Sequence, residues 1–439
     1  MKSLGARIWV SAIFIGLVGQ IAWVIENMYF ATLAQDIFSN SGRNDLSYLV
    51  TTLMVIFSAI CATATTIVAG ALSDKAKKRK PFIAIGYIVW GVTIMLFALL
   101  PMKPEAQMIG LIATLLVVFD CIMTLAGSTA NDAAFNAWVI DNTPSEKRGK
   151  MNSILAILPV IAVVIVFIGL GGLYNSNNDS NALFFIVLGV IPMVCGIISI
   201  FLLKDSNSIE ASEVKGFKDF FYGFRLSIIK SNKMLYITLI CACLVGIAQQ
   251  TFFSYLINFL QNTLELHEGF VIPMAVIIVG SAIVTGVFGF MFDKFGRKRF
   301  YIPLLIMAIL GILSFFMIQY TSGAIWYIFL YLGGILMMGG ILSLTGIFTS
   351  TFQDYVPKGT EGRFQGVRMC FMVLIPMIIG PIVSLILGLN AMGMNGENFT
   401  PPYSLFLAAA IIAVITFLPL IFVRGDSNRL RSEKNEAQL

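Results

Sequence analysis

The sequence predicts an all-α integral membrane protein with twelve transmembrane helices in two pseudo-symmetric bundles of six. Three observations support this fold class: the composition, the number of long apolar segments, and a pair of motifs that occurs once in each half. Of the 439 residues, 58% are hydrophobic and only 12% are charged, whereas soluble proteins carry about 25% charged residues. This composition excludes a soluble globular protein, a disordered chain, a coiled coil and a secreted disulfide scaffold.

Each predicted helix reaches the length of about 20 apolar residues that a membrane crossing needs. The twelve segments are 8–34, 46–72, 81–101, 107–139, 151–173, 182–203, 234–260, 270–292, 300–320, 323–350, 366–389 and 402–423. The long segments indicate tilt, kinks or projection beyond the bilayer. We expect an N-terminal bundle at 1–203, a cytoplasmic linker with an interfacial helix at 204–233, a C-terminal bundle at 234–423 and a cytoplasmic tail at 424–439.

The positions of the basic residues predict the orientation of the helices. Of the 29 Lys and Arg residues, 27 lie in the termini or in alternate loops, and only Arg43 and Lys103 remain for the other side. Basic loops are retained in the cytoplasm during insertion, so we expect both termini to be cytoplasmic in a plasma-membrane protein. The net charge of +6 then reflects topology and contact with anionic lipid, and not binding to nucleic acid.

The sequence contains no pattern typical of an enzyme or a cofactor protein. All six cysteines lie in predicted spans without CxxC spacing or neighbouring histidines, so we predict neither a disulfide nor a metal site. Walker, HExxH and GxSxG motifs are absent from the sequence. We therefore expect no enzymatic activity and no cofactor.

Two motifs occur in the same order in each half of the chain. A Gly-xxx-Asp motif followed by basic residues begins at Gly70 and again at Gly289, 219 positions later. A second motif after the fourth predicted helix, from Asp141 to Arg148, has a counterpart from Asp354 to Arg363 after the tenth. The repeated order indicates that the bundle of six helices was duplicated.

The first motif resembles the GxxxDxxGRR signature of the major facilitator superfamily. The second copy fits with Gly296 and Arg297, whereas the first has Lys77 where glycine is usual. The stretches Lys78–Ile83 and Asn131–Phe135 are similar to the glycoside-pentoside-hexuronide cation symporter branch, the melibiose-permease type, and to its sucrose-transporter relatives. The resemblance implies the major facilitator fold and transport by alternating access.

The motif residues are the predicted conformational gates. In the superfamily fold the motif contacts the opposite half when the cytoplasmic side is closed, which implies Asp74 near Arg363 and Asp293 near Arg148. The two motif glycines would allow close helix contact. For Arg368, snorkelling to the interface or a bond to Asp354 or Glu361 is the alternative. The predicted gating set is Gly70, Asp74, Arg148, Gly289, Asp293, Arg297, Arg363 and Arg368.

Ionisable side chains in the hydrocarbon region are costly and therefore indicate function. The acids Glu26, Asp120 and Asp132 lie within predicted helices of the first half and are the candidate coupling residues. On a regular helix, Asp132 is about 120° around and about 18 Å along from Asp120, too far for a shared proton. The resemblance implies a sugar and cation role for Asp132, whereas helix packing is an alternative for Asp120.

Aromatic and polar groups near these acids are the candidate substrate-binding residues. The Trp23 ring would pack on sugar C–H groups while amides and carboxylates bind hydroxyls, and the same set would suit an amine or a lysolipid head group. A lipid-facing Trp23, with Glu26 near the outer boundary, is the alternative. The seventh helix has a polar stripe from Gln250 through Asn258. The full set is Gln20, Trp23, Glu26, Asn27, Asn131, Asp132, Asn136, Gln250 and Asn258.

The second predicted helix favours a proton over sodium as the coupling ion. Its run from Ser58 to Thr63 lacks the acids that melibiose-type symporters use for sodium, whereas a single buried acid suffices for a proton. We predict proton-coupled symport of a sugar or glycoside by a monomer whose partners are a small solute and the bilayer. Efflux antiport, carriage of a lysolipid or another organic solute, and uniport are the alternatives, and sodium coupling remains open.

Overall fold

The structure is a computed structural model that describes residues 5–143, 151, 154–155, 157–175, 181–205, 222–356, 361–395 and 400–423. Nearly all of these residues are helical, and none of them forms a strand. Ten helical segments in the described part are long and apolar enough to cross a membrane, and two further apolar helices are shorter. The predicted all-α membrane fold is therefore confirmed, whereas the orientation of the termini stays a prediction.

We number the twelve segments α1 to α12. The first half contains α1 (Ala6–Asn40), α2 (Asn44–Ala76), α3 (Lys80–Leu99), α4 (Ala106–Asn142), α5 (Leu158–Leu173) and α6 (Ala182–Leu202). The second half contains α7 (Lys233–Phe253), α8 (Val271–Phe295), α9 (Arg297–Tyr320), α10 (Gly323–Tyr355), α11 (Gly366–Ala391) and α12 (Ser404–Leu420). A short helix, Leu226–Ser231, lies in the predicted linker. Residues 206–221 of that linker and the tail 424–439 lie outside the described residues.

Contacts between Cα atoms divide the chain into two compact units. Unit 1 comprises Met1–Phe217 with Ser254–Val271 and Gly388–Pro401, and unit 2 comprises Lys218–Phe253, Ile272–Leu387 and Pro402–Leu439. Within unit 1, the rings of Tyr48 and Tyr255 lie 5.2 Å apart, and a Cβ on Gly388 would overlap the Tyr48 ring. The segments 254–271 and 388–401 therefore pack with the first six helices.

Five helical segments adopt π geometry, in which the backbone hydrogen bond spans five residues. They are Ile25–Phe30, Ser128–Phe135, Ile165–Leu170, Phe259–Thr263 and Cys370–Leu374. The first contains Glu26 and the second contains Asp132. Rotation by 100° per residue, which underlies the predicted helix faces, does not hold across these segments.

The predicted continuous helix 234–260 is wrong, because α7 ends at Phe253. The backbone leaves helical geometry at Tyr255, with φ −109° and ψ 2°, and a short helix resumes at Leu256–Asn258. Gln250 consequently belongs to unit 2 and Asn258 to unit 1. The predicted polar stripe from Gln250 to Asn258 is therefore interrupted, because it assumed one unbroken helix.

Small residues bring neighbouring helices into backbone contact within each unit. A Cβ on Gly91 of α3 would overlap the carbonyl oxygen of Gly189 in α6, and a Cβ on Gly311 of α9 would overlap the backbone of Met337 in α10. The motif glycines behave differently. A Cβ on Gly70 or Gly289 would meet no atom of the described residues within 4 Å, so the close helix contact expected at these two glycines stays a prediction.

Candidate functional site

Thr124 links two acids of unit 1, Glu26 and Asp120, where α1 packs against α4. The Thr124 hydroxyl lies 2.9 Å from Glu26 Oε1 and 2.8 Å from the carbonyl oxygen of Asp120, in position to donate to either. Asp120 is only 2% exposed, whereas Glu26 is half-buried. Glu26 Oε2 and Asp120 Oδ1 are buried without a hydrogen bond to any described residue.

The local backbone explains why the sequence did not predict this pair. Glu26 lies in the π segment of α1, whereas Asp120 lies on regular helix one turn before Thr124. Helical spacing along one chain segment cannot reveal a contact between two helices.

An aromatic wall lies one helical turn from Glu26. The rings of Trp23 and Trp90 are 4.9 Å apart and inclined at 58°, and a Cβ on Gly127 would press against both rings. The Trp90 indole N–H donates to the Met123 sulfur. Trp23 is half-buried and Trp90 is fully buried, so Trp23 packs on a neighbouring helix of its own bundle.

Asp132 is held by its own helix and lies at the edge of the carboxyl pair. Ser128 Oγ donates to Asp132 Oδ2 over 3.0 Å, and Asn131 Nδ2 lies 3.4 Å from Oδ1. Asn131 is buried, and its amide oxygen accepts a hydrogen bond from the Tyr87 hydroxyl at 3.1 Å. Thr124 therefore links Glu26 to the backbone of Asp120, whereas Ser128 and Asn131, which bind Asp132, belong to its own helix.

The remaining predicted substrate residues are distributed over both units. Gln20 is half-buried, whereas Asn27 is exposed and its amide donates to the Trp23 carbonyl over 2.7 Å. Asn136 is exposed, and its amide donates to the Asp132 carbonyl over 3.1 Å. Gln250 is half-buried in unit 2 beside Gly380. The Asn258 amide oxygen is buried in unit 1 and has no hydrogen-bond partner in the part of the chain that is described.

The repeated motifs form an ion pair within each half. Arg79 Nε donates to Asp141 Oδ2 over 3.0 Å, and the equivalent loop of the second half joins Arg297 to Asp354. Asp205 Oδ1 accepts the backbone N–H groups of Arg79 and Lys80, each over 2.8 Å, at the start of α3. The sequence prediction omitted Arg79, although its position after Asp74 matches the motif.

The predicted contacts between the two halves stay predictions. Arg148 and the side chains of Asp74, Asp293 and Arg363 lie outside the described residues. Arg368 is half-buried with its guanidinium 3.8 Å from the Met369 sulfur.

A half-buried acid at the end of α1, Asp36, was missed by sequence reasoning. Tyr174, just after α5, donates its hydroxyl to Asp36 Oδ2 over 2.8 Å. The predicted first helix ended at residue 34, which placed Asp36 in a loop, whereas α1 continues to Asn40. The apolar residues Leu33, Ile37 and Phe38, all buried on this extension, were the available sequence signal.

In the described part of the chain, twelve apolar helices in two motif-bearing halves, with acids inside α1 and α4, are the architecture of a multi-pass membrane protein. The chain belongs to the major facilitator superfamily, since the model described as "Major Facilitator Superfamily" matches residues 8–381. It is therefore a transporter and not an enzyme.

Solved transporters share this fold over their whole length. A mutant of the nucleoside transporter NupG superposes with a TM-score of 0.72 at 14% identity, covering 95% of this chain and 99% of that chain. A bacterial homologue of the human lysosomal transporter Spinster gives a TM-score of 0.70 at 14% identity over 96% and 98%. The xylose transporter XylE from E. coli gives 0.69 at 13% identity over 97% and 99%. No curated protein matches the chain by sequence. At these identities the likeness establishes the fold alone.

Proposed function

We propose that the protein is a proton-coupled symporter of a small polar solute, with Glu26 and Asp120 as the coupling pair. One observation carries this proposal: Thr124 links Glu26 Oε1 to the backbone of Asp120, and each of the two acids has a buried carboxyl oxygen without a hydrogen-bond partner among the described residues. The resemblance to the melibiose-permease branch, through Asn131–Phe135, supports a sugar or glycoside as the solute.

The chemistry of the pair suits reversible proton binding. An unpaired buried carboxylate is costly, and two neighbouring carboxylates repel each other, so the closed site is more stable when it holds a proton. Access to water stabilises the ionised form, which allows the proton to leave on the other side of the membrane. Alternating access then couples proton release to solute movement.

The aromatic wall supports a solute with both C–H faces and hydroxyl groups. The Trp23 ring offers an apolar face, and Glu26, one turn along the same helix, offers hydrogen-bond acceptors, as does Asp132 on α4. Sugars combine these two features, as do nucleosides, and structural relatives are named as xylose and nucleoside transporters. We propose uptake across the plasma membrane by a monomer with cytoplasmic termini.

Transport assays in proteoliposomes test this proposal. A pH dye inside the vesicles reports proton movement, and a panel of radiolabelled sugars, glycosides and nucleosides reports solute movement. We expect Glu26→Gln and Asp120→Asn to reduce solute-driven proton movement at least about tenfold, because each removes an ionisable group of the pair. Solute exchange in counterflow, which needs no net proton movement, should persist. Glu105→Gln is the matched control, since this exposed carboxyl lies outside the membrane segments.

Asp132→Asn separates the two assignments of the coupling group. Loss of proton movement in Asp132→Asn alone, with Glu26→Gln and Asp120→Asn still active, would transfer the role to Asp132. Solute uptake that ignores the pH gradient in the unmodified protein would instead indicate uniport. Solute export driven by an inward proton gradient would indicate antiport.

A further inference from the structure

An apolar groove runs along unit 1 between α2, α3 and α4. It has a volume of about 290 Å³ and is lined by Ala64, Thr65, Val68, Ala69, Leu72, Phe82 and Thr129. The Thr129 hydroxyl donates to the Leu125 carbonyl of its own helix over 2.8 Å, so it offers little to a polar ligand. Val68 and Leu72 are 45% and 51% exposed. An exposed apolar groove on membrane helices is suited to a hydrocarbon chain.

Basic residues lie at one end of this groove. Leu72 is in the last turns of α2, and Phe82 is in the first turn of α3, so the loop that joins the two helices ends the groove. Lys75, Lys77 and Lys78 are all exposed there, and none forms an ion pair with a described residue. Arg79 differs, because its guanidinium is buried and bound to Asp141. Within the described residues, three exposed ammonium groups therefore lie beside an apolar groove without an ion-pair partner.

The backbone conformation of Lys77 is a second, independent observation that indicates a role for this side chain. Lys77 has φ 51°, and its repeat partner Gly296 has φ 82°. Glycine adopts this left-handed conformation without the steric penalty that a Cβ brings, which is why it is the usual residue after a helix end. A lysine at this position stores strain that a glycine would relieve. Strained residues persist where the side chain has a role.

We propose that this groove is a binding site for an anionic phospholipid, with an acyl chain along α2 and the phosphate on Lys75, Lys77 and Lys78. The groove has about ten times the volume that a water molecule takes in the liquid, about 30 Å³, which gives room for a segment of one acyl chain. Lysines near a bilayer surface attract anionic lipid. The loop lies on the side that the charge asymmetry predicts to be cytoplasmic, where anionic lipids concentrate. The site is separate from the Glu26–Asp120 pair and does not depend on the coupling ion.

Native mass spectrometry of the full-length protein in mild detergent tests the site. The probes are dioleoyl phosphatidylglycerol and dioleoyl phosphatidylcholine at equal concentration, which share acyl chains and differ in charge. We expect the unmodified protein to bind phosphatidylglycerol in preference to phosphatidylcholine. Lys77→Gly and Lys78→Gln should each lower this preference on the order of fivefold. Ala64→Phe, which fills the groove from an exposed position, should reduce retention of both lipids.

Thermal unfolding separates lost binding from lost folding. Lys77→Gly removes the strain as well as the charge, so its melting temperature should equal or exceed that of the unmodified protein while its lipid preference falls. Lys298→Gln and Ile283→Phe are controls for a lost charge and an added ring in unit 2, and neither should change lipid retention. An unchanged preference in the Lys77→Gly and Lys78→Gln variant, or unchanged retention in Ala64→Phe, would overturn the proposal.

Discussion

At the scale of single residues, Arg79 and Arg297 form the same kind of ion pair in equivalent loops, but the two pairs differ in solvent exposure. The side chains of Arg79 and Asp141 are 6% and 19% exposed, whereas those of Arg297 and Asp354 are 21% and 42% exposed. Solvent screens the second pair more strongly, and a buried guanidinium binds its partner where water cannot replace it. The two copies of one motif should therefore contribute unequally to stability.

We expect Arg79→Gln to lower the free energy of unfolding by about 3 kcal/mol, because the substitution leaves Asp141 largely buried without its cation. Arg297→Gln should cost at most about 1 kcal/mol, as exposed pairs do. Denaturant or thermal unfolding in detergent measures both. Equal losses in the two variants would show that burial does not set the difference.

Sequence reasoning identified the individual acids but not their pairing. Glu26, Asp120 and Asp132 were predicted from the cost of charge in hydrocarbon, which depends only on position along a helix. The link from Glu26 through Thr124 to Asp120 depends on how α1 packs against α4, and no local pattern encodes it. Asp36 was missed for a different reason. The apolar segment that predicted the first helix ends at residue 34, whereas α1 continues to Asn40.

At the scale of elements, hydropathy predicted the helices and misjudged their ends. An apolar window measures the part of a helix that lies in hydrocarbon, whereas α1 and α4 continue to Asn40 and Asn142. The break after Phe253 had no signal, because the sequence around Ser254 contains neither glycine nor proline. The sequence did not predict the π segments either, because amino-acid composition does not distinguish a π turn from an α turn.

Helix contact at glycine gives a prediction at this scale. Gly91→Ala places a methyl group on the Gly189 carbonyl, so α3 and α6 must separate, and we expect a loss of about 1–3 kcal/mol in the free energy of unfolding. Gly286→Ala in α8 has open space for its methyl group and should gain about 0.5–1 kcal/mol. Unfolding of both variants in detergent provides the measurement. A stable Gly91→Ala protein would mean that the helices separate at no cost.

At the scale of the whole molecule, the fold defines a transporter but not its cargo. Relatives at 13–14% identity carry names as different as nucleoside and xylose transporter on the same architecture. The number of helices and the division into two motif-bearing halves were predicted from the sequence, because long apolar segments and repeated motifs can be recognised along the chain. Solute choice depends on a few side chains whose positions arise only when helices pack.

The distribution of basic residues predicts the topology of the whole chain. Green fluorescent protein fused after Leu439 should fluoresce, because it remains in the cytoplasm, and alkaline phosphatase fused at Arg43 should be active on the opposite side. Fusion activity in intact cells measures both. Active phosphatase at either terminus would reverse the assignment.

The π segment of α4 has a mechanical consequence for this helix. It holds Ser128–Phe135 in a wider turn, so a return to regular geometry would rotate everything after it by up to about 100° relative to Asp120. Asp141 lies beyond the segment and is bound to Arg79, while Asn131 within it is bound to Tyr87. These two interactions oppose rotation of the C-terminal part of α4. A rotation that moves Asp132 would therefore have to break at least one of them.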